Sequence, residues 1–304
     1  MNKKKSLEKI KKSNIFTFLA PPLFVFFWST GFIGAKFGLP YAEPFTFLFI
    51  RFATAFILLF SLSLRIGASW PKNTIEFFHI TVSGLLLHAA YLGGVFSAIN
   101  LGLSAGVTAL IVGLQPIVTG VFAQILLKEK VILRQWLGLL LGFVGVALVV
   151  SEKFLFVGTT DTEIAGVAIS AAIVALLGTT FGTIYQKRYC PNMNLVSGTT
   201  IQYGSTCIVM LFGAMLWETM EVEWTFNFLF AISWLVLVLS FGAVFLLLYL
   251  IRHNATSRLS SLFYLVPPAT AIEGFLFFDE TLGHLSLLGM LIIITGVAMV
   301  IRKM

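Results

Sequence analysis

Of the 304 residues, 58% are hydrophobic and 11% are charged, against roughly 25% charged in a soluble domain. Too few polar side chains remain to wrap a globule of this length in water, so much of the surface must meet lipid. The net charge of +7 does not point to nucleic acid, because six lysines crowd into residues 3–12 and most other basic residues fall at the ends of apolar runs.

Those runs are continuous and about as long as a bilayer-spanning helix, roughly 20 residues, whereas barrel strands are short and alternating. Read against their polar interruptions, they predict an all-α membrane protein of ten transmembrane helices. In chain order the segments are 15–37, 44–66, 77–99, 104–127, 133–150, 164–186, 194–217, 228–251, 257–278 and 284–302. The first run is too long for the apolar region of a signal peptide, and no small-x-small cleavage site ends it, so it reads as a retained helix. The connections are short, the longest being Ser151 to Glu163, and leave no room for a soluble domain.

Basic residues orient the bundle. With the N-terminus in the cytoplasm, Lys36 and Lys153 alone among the 20 lysines and arginines fall on the outer side, and Arg51 falls within a helix. Both termini are then cytoplasmic. Lys3 to Lys12 read as a topology signal in contact with anionic lipid.

Sliding the sequence against itself reveals matches at one constant offset of 151 residues. Gly31 aligns with Gly182, Ile33 with Ile184, Lys36 with Lys187, Pro116 with Pro267, Glu129 with Glu280 and Gly138 with Gly289. Gly145-Val146-Ala147 aligns with Gly296-Val297-Ala298. The chain thus reads as two repeats, 15–150 and 164–302, with five helices each. Five is odd, so the second copy enters the membrane from the opposite side, as in inverted-repeat transporters.

The stretch Trp28-Ser-Thr-Gly-Phe-Ile-Gly-Ala-Lys36, continuing through Leu39-Pro-Tyr-Ala-Glu-Pro44 to Arg51-Phe52, resembles the opening of an EamA domain. Ser104-Ala-Gly-Val-Thr-Ala-Leu, Gln115-Pro116 and Lys128-Glu129-Lys130 extend the resemblance, and Leu265-Val-Pro-Pro268, Phe277-Phe-Asp-Glu280 and the Gly289…Gly296 helix carry it through the second half. The second half departs at Gly178-Thr-Thr-Phe-Gly182, where the first half has Trp28-Ser-Thr-Gly31. The resemblance, to EamA-type members of the drug/metabolite transporter superfamily, implies ten helices, a pathway between the halves, and export of small metabolites, such as amino acids, or of drugs.

Depth in the membrane selects candidate site residues. Trp28, His88, Tyr91, Gln115 and Tyr264, with Thr179 and Thr180 opposite, are expected to line a substrate cavity. Each could equally well pack or hydrogen-bond between helices. Pro116, Pro267 and Pro268 are expected to kink the fourth and ninth helices, since proline removes a backbone donor. Arg51 and Glu273 lie at similar depth and, together with Lys36, are read as an outer gate or proton-linked switch. The competing reading is a structural ion pair or snorkelling side chains. Gly138, Gly142 and Gly145 form a small-residue face for close packing within the chain or against a second copy in a homodimer.

Other chemistries lack their residues. Cys190 and Cys207 give no metal-ligand spacing, the histidines His79, His88, His253 and His284 are scattered, and no phosphate-binding loop or GxSxG occurs. No cofactor, metal or catalytic residue is therefore expected. The lipid bilayer and a small-molecule substrate are the expected partners. A channel or membrane scaffold is the alternative, which saturable flux would separate from a transporter, and an intramembrane enzyme is a more remote one.

Overall fold

The computed structural model describes residues 19–31, 34, 37–101, 103, 108, 111–154, 162–253, 256–266, 268–269, 272–273, 276 and 283–301. Among them the protein is helical throughout, with no strand beyond one isolated bridge, Ala42 to Val222. Two expected site residues, Lys36 and Pro267, lie outside the described residues.

The helices are α1 (Leu19–Gly31), α2 (Pro44–Arg65), α3 (Thr74–Asn100), α4 (Gln115–Leu126), α5 (Leu133–Phe154), α6 (Thr162–Tyr189), α7 (Leu195–Trp217), α8 (Phe226–His253), α9 (Thr256–Ser261) and α10 (His284–Ile301). Six of the apolar stretches, in α2, α3, α6, α7, α8 and α10, are long enough to cross a membrane, and the segments in α1, α4 and α5 are shorter. The protein is a multi-pass membrane protein. Its outward faces are apolar to the ends: Ile125, Leu133, Phe212 and Leu291 are all more than half exposed. Trp70 near one end, and Trp217 and Trp224 near the other, stay exposed where interfacial tryptophans belong.

Local sequence explains the helix ends. Proline opens α2 at its first position, where no donor is lost. Gly67, at φ +59°, closes the same helix: its N–H bonds the Leu64 carbonyl at 3.3 Å and that of Ala68 bonds Ser63 at 2.9 Å. Asn73, Asn194 and Thr225 cap α3, α7 and α8 with side-chain oxygens. The predicted fourth helix is not continuous. It turns at Gly113 and Leu114 and restarts as α4 with Pro116 in its first turn, so this proline opens a helix more than it kinks one. The predicted ninth helix is also broken: α9 tightens into a 3-10 turn at Leu262–Leu265 ahead of Val266 and Pro268.

Two helices share a feature that hydropathy does not report. A π-helical stretch, Leu85–Ala90, interrupts α3, and another, Leu235–Ala243, interrupts α8. Subtracting the 151-residue offset places the second stretch over 84–92, which encloses the first. π-Stretches are rare and gather at functional sites.

The pair α5 and α10 packs backbone to backbone. A Cβ on Gly138 would lie 2.5 Å from the Gly296 carbonyl oxygen, and one on Gly145 would lie 2.7 Å from that of Gly289. The contacts are reciprocal. Gly138 and Gly289 are mates at the repeat offset, as are Gly145 and Gly296, and each touches the other pair's mate. A two-fold arrangement makes contacts of this self-complementary kind. Leu139, Val146, Val149, Ile293, Val297 and Val300 surround this seam as a second hydrophobic core. The glycine face of α5 is thus used within the chain.

Candidate functional site

A narrow cavity of about 60 Å³ lies between α1, α2, α3 and α8, walled by Trp28, Arg51, Leu87, His88, Tyr91 and Leu239 among others. His88 lies in the first π-stretch and Leu239 in the second, and the two are mates at the repeat offset. Below them Phe52 touches Tyr203, its own mate, with ring centroids 5.2 Å apart.

The cavity has one aromatic wall and one polar corner. Trp28 stacks with Tyr91 at 6.3 Å and 20°, backed by Phe24 and by the edge of Phe263. In the corner, Arg51 is only 4% exposed, and its Nε donates to Ser240 Oγ at 3.3 Å. The same serine accepts from the Tyr203 hydroxyl through its carbonyl oxygen at 2.6 Å. His88 is buried among Phe52 and Tyr203, and its Nε2 makes no hydrogen bond of ordinary geometry.

Toward the Glu43 end, the cavity shares Leu39, Phe96 and Ile99 with a vestibule of about 880 Å³. Glu43, Glu221 and Glu223 line that vestibule. Two carboxylates hold it together crosswise. Glu218, at the end of α7, accepts from the Phe45 and Thr46 N–H groups of α2 at 2.6 and 2.7 Å. Glu43, ahead of α2, accepts from the N–H and hydroxyl of Thr219, both at 2.7 Å. The Thr219 hydroxyl, with the Thr219 and Met220 N–H groups, holds the Glu43 carboxyl below the usual carboxylate range against a small opposing effect of burial.

Away from the vestibule the halves are closed. Gln202, the mate of Arg51, donates to Gln186 Oε1 at 2.9 Å and Ser83 Oγ at 3.2 Å, and Ser83 itself donates to Gln186. Helix α3 comes close enough here that a Cβ on Gly84 would lie 2.6 Å from the Gln202 Cα. Beyond this cluster Arg252 donates to the Met193 carbonyl at 2.5 Å, Arg188 to that of Leu126 at 2.8 Å, and Lys187 pairs with Glu129 at 3.4 Å.

Of the residues expected in the cavity, Trp28, His88 and Tyr91 line it; Gln115, Thr179, Thr180 and Tyr264 do not. Gln115 is buried at the α4–α9 contact, where its amide donates to Thr119 and to Ser260, each at 3.2 Å. Tyr264 packs on Gly142 of α5. Thr179 and Thr180 are buried on α6, which lies against the first π-stretch. The expected pairing of Arg51 with Glu273 is not formed. Glu273 is hydrogen-bonded to Ser29 at 2.5 Å and its Oε2 has no partner, whereas Arg51 is held by Ser240. Equal depth did not bring them together because depth says nothing about which way each helix face turns. Sequence reasoning passed over Ser240, Tyr203, Gln202, Gln186 and Ser83; applying the repeat offset to Arg51 would have found Gln202. Among the described residues no three His, Cys, Asp or Glu side chains gather as a metal site.

The model of the EamA-like transporter family matches the chain twice, over residues 16–151 and 166–302. An uncharacterized transporter of Bacillus subtilis, YvbV, is 25% identical over 98% of this chain and 94% of its own length. An uncharacterized transporter of Archaeoglobus fulgidus is 24% identical over 92% and 97%. The WAT1-related protein At3g02690, chloroplastic, of Arabidopsis thaliana is 26% identical over 90% of this chain and 67% of its own. One crystal structure of a protein shares the fold at a TM-score of 0.79 and 17% identity, over 92% of this chain and 94% of that one.

Proposed function

The chain belongs to the EamA-like transporter family, and from that premise we propose that it is a secondary transporter exporting small organic solutes from bacterial cells by alternating access. On this reading ten helices form two inverted five-helix repeats in the inner membrane, with both termini cytoplasmic and the Glu43 vestibule facing outward. Substrate binds beside Trp28, His88 and Tyr91. Arg51 and Glu273 act from either side of α1, without pairing in this conformation.

The observation that carries the reading is that residues at the repeat offset come together at the cavity: Phe52 touches Tyr203, and His88 and Leu239 both line the wall. Two similar halves that meet at a shared site can exchange conformations, which exchanges the side on which the site opens. The sealed Gln202 cluster and the vestibule on the Arg51 side support an outward-facing state closing upon its cavity.

The test compares metabolites released by cells with and without the protein, followed by counterflow of any released compound in proteoliposomes. Saturable counterflow that is lost in Trp28→Ala supports a transporter using this cavity. No difference in released metabolites and no counterflow would remove the export reading, and non-saturable flux would favour a channel.

A further inference from the structure

Arg51 is a cation buried in the cavity wall without an anion of its own. It is 4% exposed, its one hydrogen bond is to the neutral Ser240 hydroxyl, and it makes no ion pair with any described residue. Among the described residues the buried carboxyl that could have served, Glu273, is engaged with Ser29. A charge in a membrane interior without a partner is costly and marks a ligand or ion pathway. Beside it on the cavity wall is His88, whose side chain interacts with Gln202 while its buried Nε2 makes no hydrogen bond of ordinary geometry.

We propose that the cavity recognises a monoanionic organic solute, its carboxylate placed against Arg51 and within reach of His88, its apolar or aromatic body against the Trp28–Tyr91 wall. This rests on the reading of the cavity as the substrate site. A planar guanidinium presents a fork that matches a carboxylate in two parallel hydrogen bonds. A single cation balances a single negative charge, whereas a phosphate dianion would be left half neutralised in a wall otherwise made of Leu87, Leu92, Val95, Leu239 and Val244. The stacked Trp28 and Tyr91 rings give the remainder of the solute a flat apolar surface. The mouth fits release of an anion outward. Glu43, Glu221 and Glu223 line the vestibule without a lysine or arginine among its described lining residues, so the mouth offers a departing anion no second cation to hold it.

The test uses the full-length purified protein in detergent, with thermal unfolding read against matched pairs of small monocarboxylates and their neutral amides, among them phenylacetate with phenylacetamide. A ligand that binds the folded state raises its unfolding temperature. At least one carboxylate should stabilise the protein where its amide does not. Arg51→Gln should weaken that carboxylate about thirtyfold or more, as truncation of a buried charge partner does, and Arg51→Lys should keep part of the effect. Without ligand, Arg51→Gln should unfold no earlier than the parent, since it removes an uncompensated charge, and a purely structural arginine would give the opposite. Amides that protect as well as carboxylates, protection surviving Arg51→Gln, or no protection by any carboxylate would each overturn the proposal. Trp28→Ala separates it from the underlying reading. If amides bind and Trp28→Ala abolishes their binding, the cavity stands and the anion preference falls. If ligands bind but Trp28→Ala changes nothing, the cavity itself is misplaced.

Discussion

Arg51 and Gln202 occupy equivalent places in the two halves, yet one faces a cavity and the other sits in a closed knot. Around Gln202, glycine at position 84 lets α3 come against α7, and Ser83, Gln186 and the Gln202 amide N–H groups hydrogen-bond to one another, while Gln202 Oε1 makes no hydrogen bond of ordinary geometry. The mate of Gly84 is Leu235, whose side chain packs into the space beside Gly34. The π-stretch on that side brings Ser240 to Arg51. The two halves thus differ through a handful of side chains, with neutral amides on the closed side and a buried charge on the cavity side.

The largest break in this contrast should come from Gly84→Leu, which gives the closed side the residue of the open one. The new side chain would meet the Gln202 backbone, so relief requires α3 and α7 to part. Overpacking costs about 1–3 kcal/mol, and a backbone obstacle should place this variant at the upper end. A lowered unfolding temperature by scanning fluorimetry checks it.

Next, Gln202→Leu leaves Ser83 and Gln186 short of a partner, a loss of about 1–3 kcal/mol. It should also loosen the closed end, and Cys190 reports that. In the parent, burial, with a smaller contribution from Glu76, pushes the Cys190 thiol up to about 12. Maleimide labelling in a Cys207→Ser background should therefore be slow at pH 8 and quicken as pH rises toward that value. In Gln202→Leu, labelling at pH 8 should be faster. Equal rates would mean that the amide cluster does not seal this end.

At the vestibule, Glu218→Gln keeps the shape of the α2 cap but removes its charge, for a loss of about 1 kcal/mol in thermal stability. The smallest effect belongs to Glu43. Its folded carboxyl lies below the ordinary 4.5, so its stabilisation is complete above that pH and is lost as pH falls through the folded value. Glu43→Gln should lower the unfolding temperature slightly at pH 7, where the parent carboxylate stabilises the fold in full, and should flatten the decline below pH 4.5.

How far the sequence reached follows from the same physics. α2, α7 and α10 are uninterrupted apolar runs between polar caps, and their predicted limits agree with the structure within about two residues. The breaks in the fourth and ninth segments were only half visible: Pro116 and Pro268 signalled an irregularity, but not that one would open a helix and the other follow a 3-10 turn. The π-stretches left no trace in hydropathy, because one more residue per turn does not change composition. In the site, Trp28, His88 and Tyr91 were legible as aromatic and polar groups at mid-depth. Gln115 and Tyr264 met the same criterion and serve helix contacts, since facing direction is set by packing and not by depth.

The glycine seam between α5 and α10 behaves as a keyed joint. Where side chains interdigitate, helices can slip by exchanging rotamers, but here carbonyl oxygens rest in gaps left by missing Cβ atoms. A slide of one residue, about 1.5 Å, would bring Val146 or Met290 against a backbone that leaves no room. On the alternating-access reading proposed above, these two helices would travel as a single rigid body, and the moving parts are to be sought among α3, α8 and their π-stretches.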